Sequence, residues 1–183
     1  MDAICWGQDL TFYFLTIFIR SIRRSEIKKT NAARILDKHK IEYDILEYKV
    51  DENDLSALHV AQDTGQDIKT IFKTLVSIDE NNQPIVACIA GDEELSLKAL
   101  AKVAGVKKCT MLPLKEVLKA TGYMRGGCSP FGMKKIYRTF IDSDALLHVK
   151  IQVSAGMRGQ QLKLDPRDFE KALRIEFAKV AYV

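Results

Sequence analysis

The chain has 183 residues, 47% hydrophobic and 28% charged, which fits one globular domain with its own core and excludes a disordered or low-complexity protein. Its formal net charge of +4 suits a polyanionic partner without requiring one. The four cysteines are far apart, with no C-x-x-C pair and no clustered histidines, so no zinc-site spacing exists and a reduced, cytoplasmic protein without metal or cofactor is expected.

Residues 1–27 look foreign to the rest of the chain. The apolar run Leu10–Ile19 is ten residues long, against about 20 for a bilayer span. Arg20, Arg23 and Arg24 come after it, the reverse of secretory-signal order. No membrane association is expected, and residues 1–27 are read as an extension outside the fold, as from translation beginning upstream of the native start. One domain over 28–183 remains.

Within that domain, Ala32, Ile35 and Leu36 recur at helical spacing, predicting a helix from Asn31 to Lys40 capped by Thr30 or Asn31. Tyr43–Val50 alternates as a strand, with Leu46 and Tyr48 on one face. Short helices are expected over Leu55–Asp63 and Asp67–Phe72. Strands Lys73–Ile78 and Pro84–Ala90 then form a hairpin across the Asp79–Asn82 turn. Helices Ser96–Ala104 and Pro113–Ala120, stopped by Gly105 and Gly122, flank a short strand Lys108–Met111. Lys135–Ile141, His148–Val153 and Gln161–Leu164 read as strands, and Asp165-Pro166 opens a final helix to about Ala178. This irregular succession predicts an α+β domain around a mixed or largely antiparallel sheet.

The segment Gly122-Tyr-Met-Arg-Gly-Gly-Cys-Ser-Pro-Phe-Gly132 packs four of the ten glycines into eleven residues. Glycine admits close approach to the main chain, and Pro130 restricts both itself and Ser129, so the loop is suited to hold N–H groups toward a phosphate or a developing oxyanion. A tight connection between strands would use the same residues. Gly122 and Gly127 have Walker A spacing, but Cys128 stands where that motif needs its lysine. Cys128 as a nucleophile lacks any motif tying His39, His59 or His148 to it.

Lys73 interrupts the apolar run Thr70–Val76. It is either a snorkelling side chain or a cation aimed at a phosphate or carboxylate in a pocket. Lysine pairs recur at 28–29, 107–108 and 134–135, with Arg138 nearby, and Arg158 lies in a second small-residue segment, Ser154–Gly159. On one face they would track a nucleic-acid backbone. No Ser-His-Asp set, H-E-x-x-H or motif-spaced carboxylate pair occurs, so an enzyme built this way works by positioning and oxyanion stabilisation.

Four ordered motifs, Lys28-Lys-Thr-Asn-Ala-Ala33, Ile71-Phe-Lys-Thr-Leu75, Gly122-Tyr-x-x-Gly-Gly-x-Ser-Pro-Phe-Gly132 and Ser154-Ala-Gly-x-Arg-Gly159, closely resemble the YbaK/EbsC family and within it the Cys-tRNA(Pro) deacylases. The resemblance runs from Lys28 to the C-terminus. It implies the fold of the editing domain of bacterial prolyl-tRNA synthetases, a mixed, partly closed β-sheet with surrounding helices. It also implies trans-editing, the removal of cysteine from mischarged Cys-tRNA(Pro), and by extension Cys-tRNA(Cys), with the aminoacyl-tRNA 3′ end as partner and prolyl-tRNA synthetase as a further one.

By the same resemblance Lys73 engages the terminal nucleotide, and Gly126 and Gly127 line the reacting ester, with the backbone N–H groups of both stabilising the oxyanion. The substrate thiol attacks that ester, forms a thiolactone and expels the tRNA hydroxyl. Tyr48, Ser129, Pro130, Gly156, Arg158 and Gln161 become substrate-binding positions. Where relatives can carry an aspartate, this chain has Gln161, which hydrogen-bonds but is no base. Cys128 stands where other members have isoleucine or valine. An Ala-tRNA(Pro) deacylase using water and a non-catalytic module that binds tRNA or synthetase are the competing readings.

Overall fold

The structure is a computed structural model that describes residues 29–182. The expected N-terminal extension lies outside the described residues.

Three sheets organise the described residues. The largest has five strands in the order β5-β2-β3-β6-β9: β2 (Phe72–Asp79), β3 (Pro84–Ala90), β5 (Cys109–Met111), β6 (Arg138–Asp142) and β9 (Ile175–Ala178). Strand β2 is antiparallel to β3 and β5, whereas β3–β6 and β6–β9 are parallel, so the sheet is mixed. An antiparallel sheet of β1 (Asp44–Glu47), β8 (Gln160–Leu164) and β7 (Ile151–Ser154) adjoins it through a parallel bridge between Ile71 and Gln152. A two-stranded ladder pairs β4 (Glu94–Leu95) with β10 (Ala181–Tyr182). The α+β class and the mixed sheet are those expected.

The helices are α1 (Asn31–Lys38), α2 (Ala57–Thr64), α3 (Leu97–Ala104) and α4 (Leu114–Thr121). Their ends follow local chemistry. Thr30, Ser56 and Ser96 accept hydrogen bonds from the N–H three residues on, and Gly65, Gly105 and Gly122 close the C-termini in the left-handed region. Thr30 is therefore the cap of α1, while Asn31 donates to the Gly132 carbonyl at 3.2 Å and ties the helix to the glycine loop.

Strand β3 explains where the core sits. Its alternate residues enter two apolar clusters: Cys88 and Ala90 face Leu36, Phe72, Phe131, Ile141 and Phe169, while Ile85, Ala87 and Ile89 face Leu100, Phe140 and Val180. Each fully buried Leu, Ile or Phe there stabilises by about 1.5–3 kcal/mol relative to exposure. A smaller cluster of Val60, Ala61 and Ile71 fixes α2 beside the start of β2.

The strands expected over Tyr43–Val50, Lys135–Ile141 and His148–Val153 are present over Asp44–Glu47, Arg138–Asp142 and Ile151–Ser154, and two expected elements differ in type. The helix over Asp67–Phe72 is a three-residue 3-10 turn, Ile68–Thr70, capped by Asp67, because Phe72 already pairs with Ala90 in β2. The final helix reaches only Lys171, as a 3-10 segment from Pro166. Beyond it Ile175 and Phe177 pair with Thr139 and Ile141 in the parallel β6–β9 ladder. Asp165 caps as anticipated, but the alternation Ile175-Glu-Phe177 prevails, because the edge of β6 offers main-chain partners that a helix would leave unused.

The buried carboxylate of Asp142 secures this end of the sheet. Its Oδ2 accepts from Val180 N–H and Ala181 N–H at 2.8 Å, and Oδ1 from Asp144 N–H and Lys179 Nζ. Lys179 also donates to Glu93 and Asp144, and although burial opposes its charge, these three carboxylates push its pKa up. No helix among the described residues is long and apolar enough to cross a membrane.

Candidate active site

A cavity of about 420 Å³ opens between β2, α2, α4 and the glycine loop. It gathers Tyr48, Lys73, Gly126 and Gln161 from positions up to 113 residues apart. Lys73 is the second residue of β2, paired with Ile89. Its ammonium donates to the carbonyls of Gly91 at 3.0 Å and Glu93 at 2.5 Å. An ammonium has three donors, so one remains for a ligand. Burial lowers the pKa of Lys73, opposed by the charges of Asp92, Glu94 and Glu93. The side chain is half-buried and held by main-chain oxygens, rather than snorkelling freely to solvent.

The glycine loop forms the facing wall. Gly126 adopts φ +80° and lies against Leu55, and its N–H has no hydrogen-bond partner among the described residues. The Gly127 N–H, in contrast, donates to the Met124 carbonyl at 3.0 Å. Gly127 faces the second small-residue segment, where an added Cβ would stand 3.2 Å from both Met157 C and Arg158 N. Glycine lets the two backbones approach this closely; a Cβ would force them apart by a few tenths of an ångström. Arg158 reinforces the contact: its Nε donates to the Arg125 carbonyl at 2.9 Å and its guanidinium pairs with Glu52.

The remaining sequence-predicted positions lie behind these walls. Ser129 is fully buried and its Oγ accepts from Phe131 N–H, which shapes the loop, and Pro130 is buried beside it. Gly156 packs against Tyr123, whose hydroxyl donates to the Phe131 carbonyl at 2.7 Å. Gly127, Ser129, Pro130, Gly156 and Arg158 do not line the cavity.

Gln161 does, from β8; it is 5% exposed, and its side-chain oxygen has no partner among the described residues. Tyr48 continues β1 through its N–H to the Gly159 carbonyl and packs edge-on to His59. Cys128 also lines the cavity, but burial pushes its thiol up to about 11, the opposite of an activated nucleophile.

Sequence reasoning missed the apolar lining supplied by Leu55, Leu58, Leu114 and Val117, and missed Arg125. The exposure of Leu58 at 52% and Leu114 at 64% marks the cavity's mouth. Only the juxtaposition of α2 and α4 reveals it.

The sequence profile of the aminoacyl-tRNA editing domain matches residues 51–172, which include Lys73, both loops and Gln161. The chain belongs to the aminoacyl-tRNA editing domain family. An editing-domain relative from Enterococcus faecalis, named "Putative Cys-tRNA(Pro)/Cys-tRNA(Cys) deacylase EbsC", is 44% identical over 153 residues, covering 84% of this chain and 93% of that protein.

Among solved structures, "hypothetical protein APE2540" is similar with a TM-score of 0.75 and 21% identity, covering 81% of this chain and 97% of its own. A "putative trans-editing enzyme for prolyl tRNA synthetase" is similar with a TM-score of 0.70 and 19% identity, covering 82% and 94%. At these identities both likenesses establish the editing-domain fold alone.

Proposed function

We propose that the protein is a trans-editing deacylase that removes cysteine from mischarged Cys-tRNA(Pro), and by the same chemistry from Cys-tRNA(Cys). The carrying observation is a cavity lined by the Lys73 cation and by Gly126, whose N–H has no hydrogen-bond partner among the described residues, while the thiol that lines it, Cys128, is held protonated by burial. Such a site supplies binding and charge stabilisation and leaves the attacking atom to the substrate.

In this reading Lys73 takes the terminal nucleotide with the ammonium donor left free by Gly91 and Glu93. The cysteinyl sulfur, after losing its proton, attacks the ester carbonyl carbon. The Gly126 N–H stabilises the oxyanion, with Gly127 keeping the loop in place because its own N–H is engaged by Met124. Collapse of the tetrahedral intermediate breaks the bond to the ribose oxygen, which takes up a proton, and releases a thiolactone that water then opens. The carboxamide oxygen of Gln161 accepts from the substrate's ammonium, and Tyr48 bounds the aminoacyl pocket.

Deacylation of Cys-tRNA(Pro) and Ala-tRNA(Pro), measured side by side, tests this. Hydrolysis of the cysteinyl ester alone, with thiolactone trapped by an amine, is the expected result. Equal hydrolysis of the alanyl ester would replace the thiol by water, and hydrolysis of neither would leave a binding module.

A further inference from the structure

Three basic segments that are remote in sequence meet on the side of α4 away from the candidate active site. A groove of about 740 Å³ runs between the β2–β3 hairpin, α4 and the segment entering β6, lined by Lys119, Lys134, Lys135 and Arg138. Val106 also lines it, and Lys107 and Lys108 come directly after; their N–H groups donate to Glu80 Oε2 at 3.1 and 3.5 Å, which anchors them against the hairpin turn.

The cations are not equivalent. Arg138 is engaged by Glu176 and the Ala104 carbonyl, and Lys134 reaches the Leu118 and Lys119 carbonyls at the end of α4. Lys107, Lys108, Lys119 and Lys135 are exposed and make no ion pair among the described residues. Two carboxylates line the groove. Asp79 is occupied by the N–H groups of Asn81 and Gln83, and Glu116 lies in the first turn of α4.

Cavity and groove are back to back. Leu112 lines both, Leu114 and Val117 of α4 face the cavity, and Lys119 and Ala120 of the same helix face the groove. Helix α4 and the Leu112 side chain lie between them. The cavity mouth lies between the exposed Leu58 of α2 and Leu114 of α4, so a polyanion whose esterified end occupies the cavity and that leaves on the α4 side carries its next phosphates to this groove.

We propose that this groove holds the sugar–phosphate backbone of the RNA whose 3′ end enters the cavity, with Lys107, Lys108, Lys119 and Lys135 as the phosphate contacts. The inference rests on the deacylase reading above. Point charges on lysine stems carry no base readout, so the contact is independent of sequence and weakens steeply with salt, each phosphate contributing about 0.7–0.9 to the slope of log K against log salt.

The test uses the full chain and uncharged tRNA, with affinity followed by fluorescence anisotropy from low to high salt. The double variant Lys119→Ala, Lys135→Ala is expected to lower the slope by about 1.5. The double arginine variant restores it. With charged tRNA the alanine variant raises KM and leaves kcat unchanged, and it hydrolyses a cysteinyl ester of adenosine, which has no backbone, at the wild-type rate.

An unchanged slope in a variant derived from an active wild type overturns the groove assignment alone. Unchanged tRNA binding together with lost capture of prolyl-tRNA synthetase also overturns it and gives the groove to an acidic protein surface. A wild type that deacylates nothing yet shows the expected loss of slope removes the deacylase reading and leaves the RNA contact standing.

Discussion

Lys73 and Gly126 face one cavity from walls held in opposite ways. The lysine stands on β2, which is paired with β3 from Phe72 to Ile78, so its place is fixed by a ladder of main-chain bonds and by apolar layers on both faces of the sheet. The glycine stands in a loop held by close backbone approach to Met157 and Arg158, by the Arg158–Arg125 bond and by Tyr123 reaching the Phe131 carbonyl. A ladder tolerates changes of side chain, whereas a wall made of closely approaching backbones must shift to admit an added atom. The sheet side is therefore the place to change chemistry without moving structure, and the loop side is where structure and chemistry change together.

The largest effect is expected on the sheet side. Lys73→Ala should lower deacylation on the order of 100-fold with the melting transition nearly unmoved, since the carbonyls of Gly91 and Glu93 can turn to water. Steady-state kinetics beside circular dichroism would read both, and wild-type turnover in this variant would remove the lysine from the mechanism.

Next comes Asp142→Ala, at the end of β6 and outside either cavity wall, where a side chain does hold main chain. It strands the N–H groups of Val180 and Ala181 and should cost about 3 kcal/mol in urea unfolding, with turnover per folded molecule unchanged. A loss below about 1 kcal/mol would mean that the β4–β10 ladder stands without it.

On the loop side, Gly127→Ala should break the comparison's symmetry. Separating two backbones by a few tenths of an ångström should cost about 1–3 kcal/mol and reduce kcat together with stability. Reduced kcat at full stability would instead place Gly127 in direct contact with the reacting ester.

The smallest effect is expected for Cys128→Val, with activity within about twofold of wild type, because that thiol is pushed up to about 11 by burial. In the wild type, Cys128 should be alkylated slowly at pH 8, where only about one such thiol in a thousand is ionised. A complete loss of deacylation in Cys128→Val would overturn attack by the substrate's own sulfur.

The two walls also differed in how far the sequence disclosed them. The glycine loop was conspicuous because its composition is its function: backbone approach demands glycine, and glycine is visible as a letter. Lys73 was conspicuous as a charge in an apolar run, but its two carbonyl partners come from the turn after β3 and have no side-chain signature. Leu114 and Val117 read as ordinary helix faces, because nothing local tells a residue that faces a cavity from one that faces a core.

The C-terminal strands were misread for a related reason. The Asp165-Pro166 signal reports how a helix starts, while its length is decided by β6, which lies more than 20 residues earlier in the chain. The basic pairs could be counted but not assembled. Only the fold brings 119 and 134–135 to one groove, with 107–108 directly after Val106 of its lining.

Strand β6 lies inside the five-stranded sheet, yet the strand that covers its outer edge is β9, made from residues 175–178. During synthesis, at roughly 5–20 residues per second, that edge stays open until the ribosome has released this stretch. For those seconds the nascent chain presents an unpaired strand bearing Phe140 and Ile141, the kind of surface that chaperones hold and that neighbouring nascent chains can pair with.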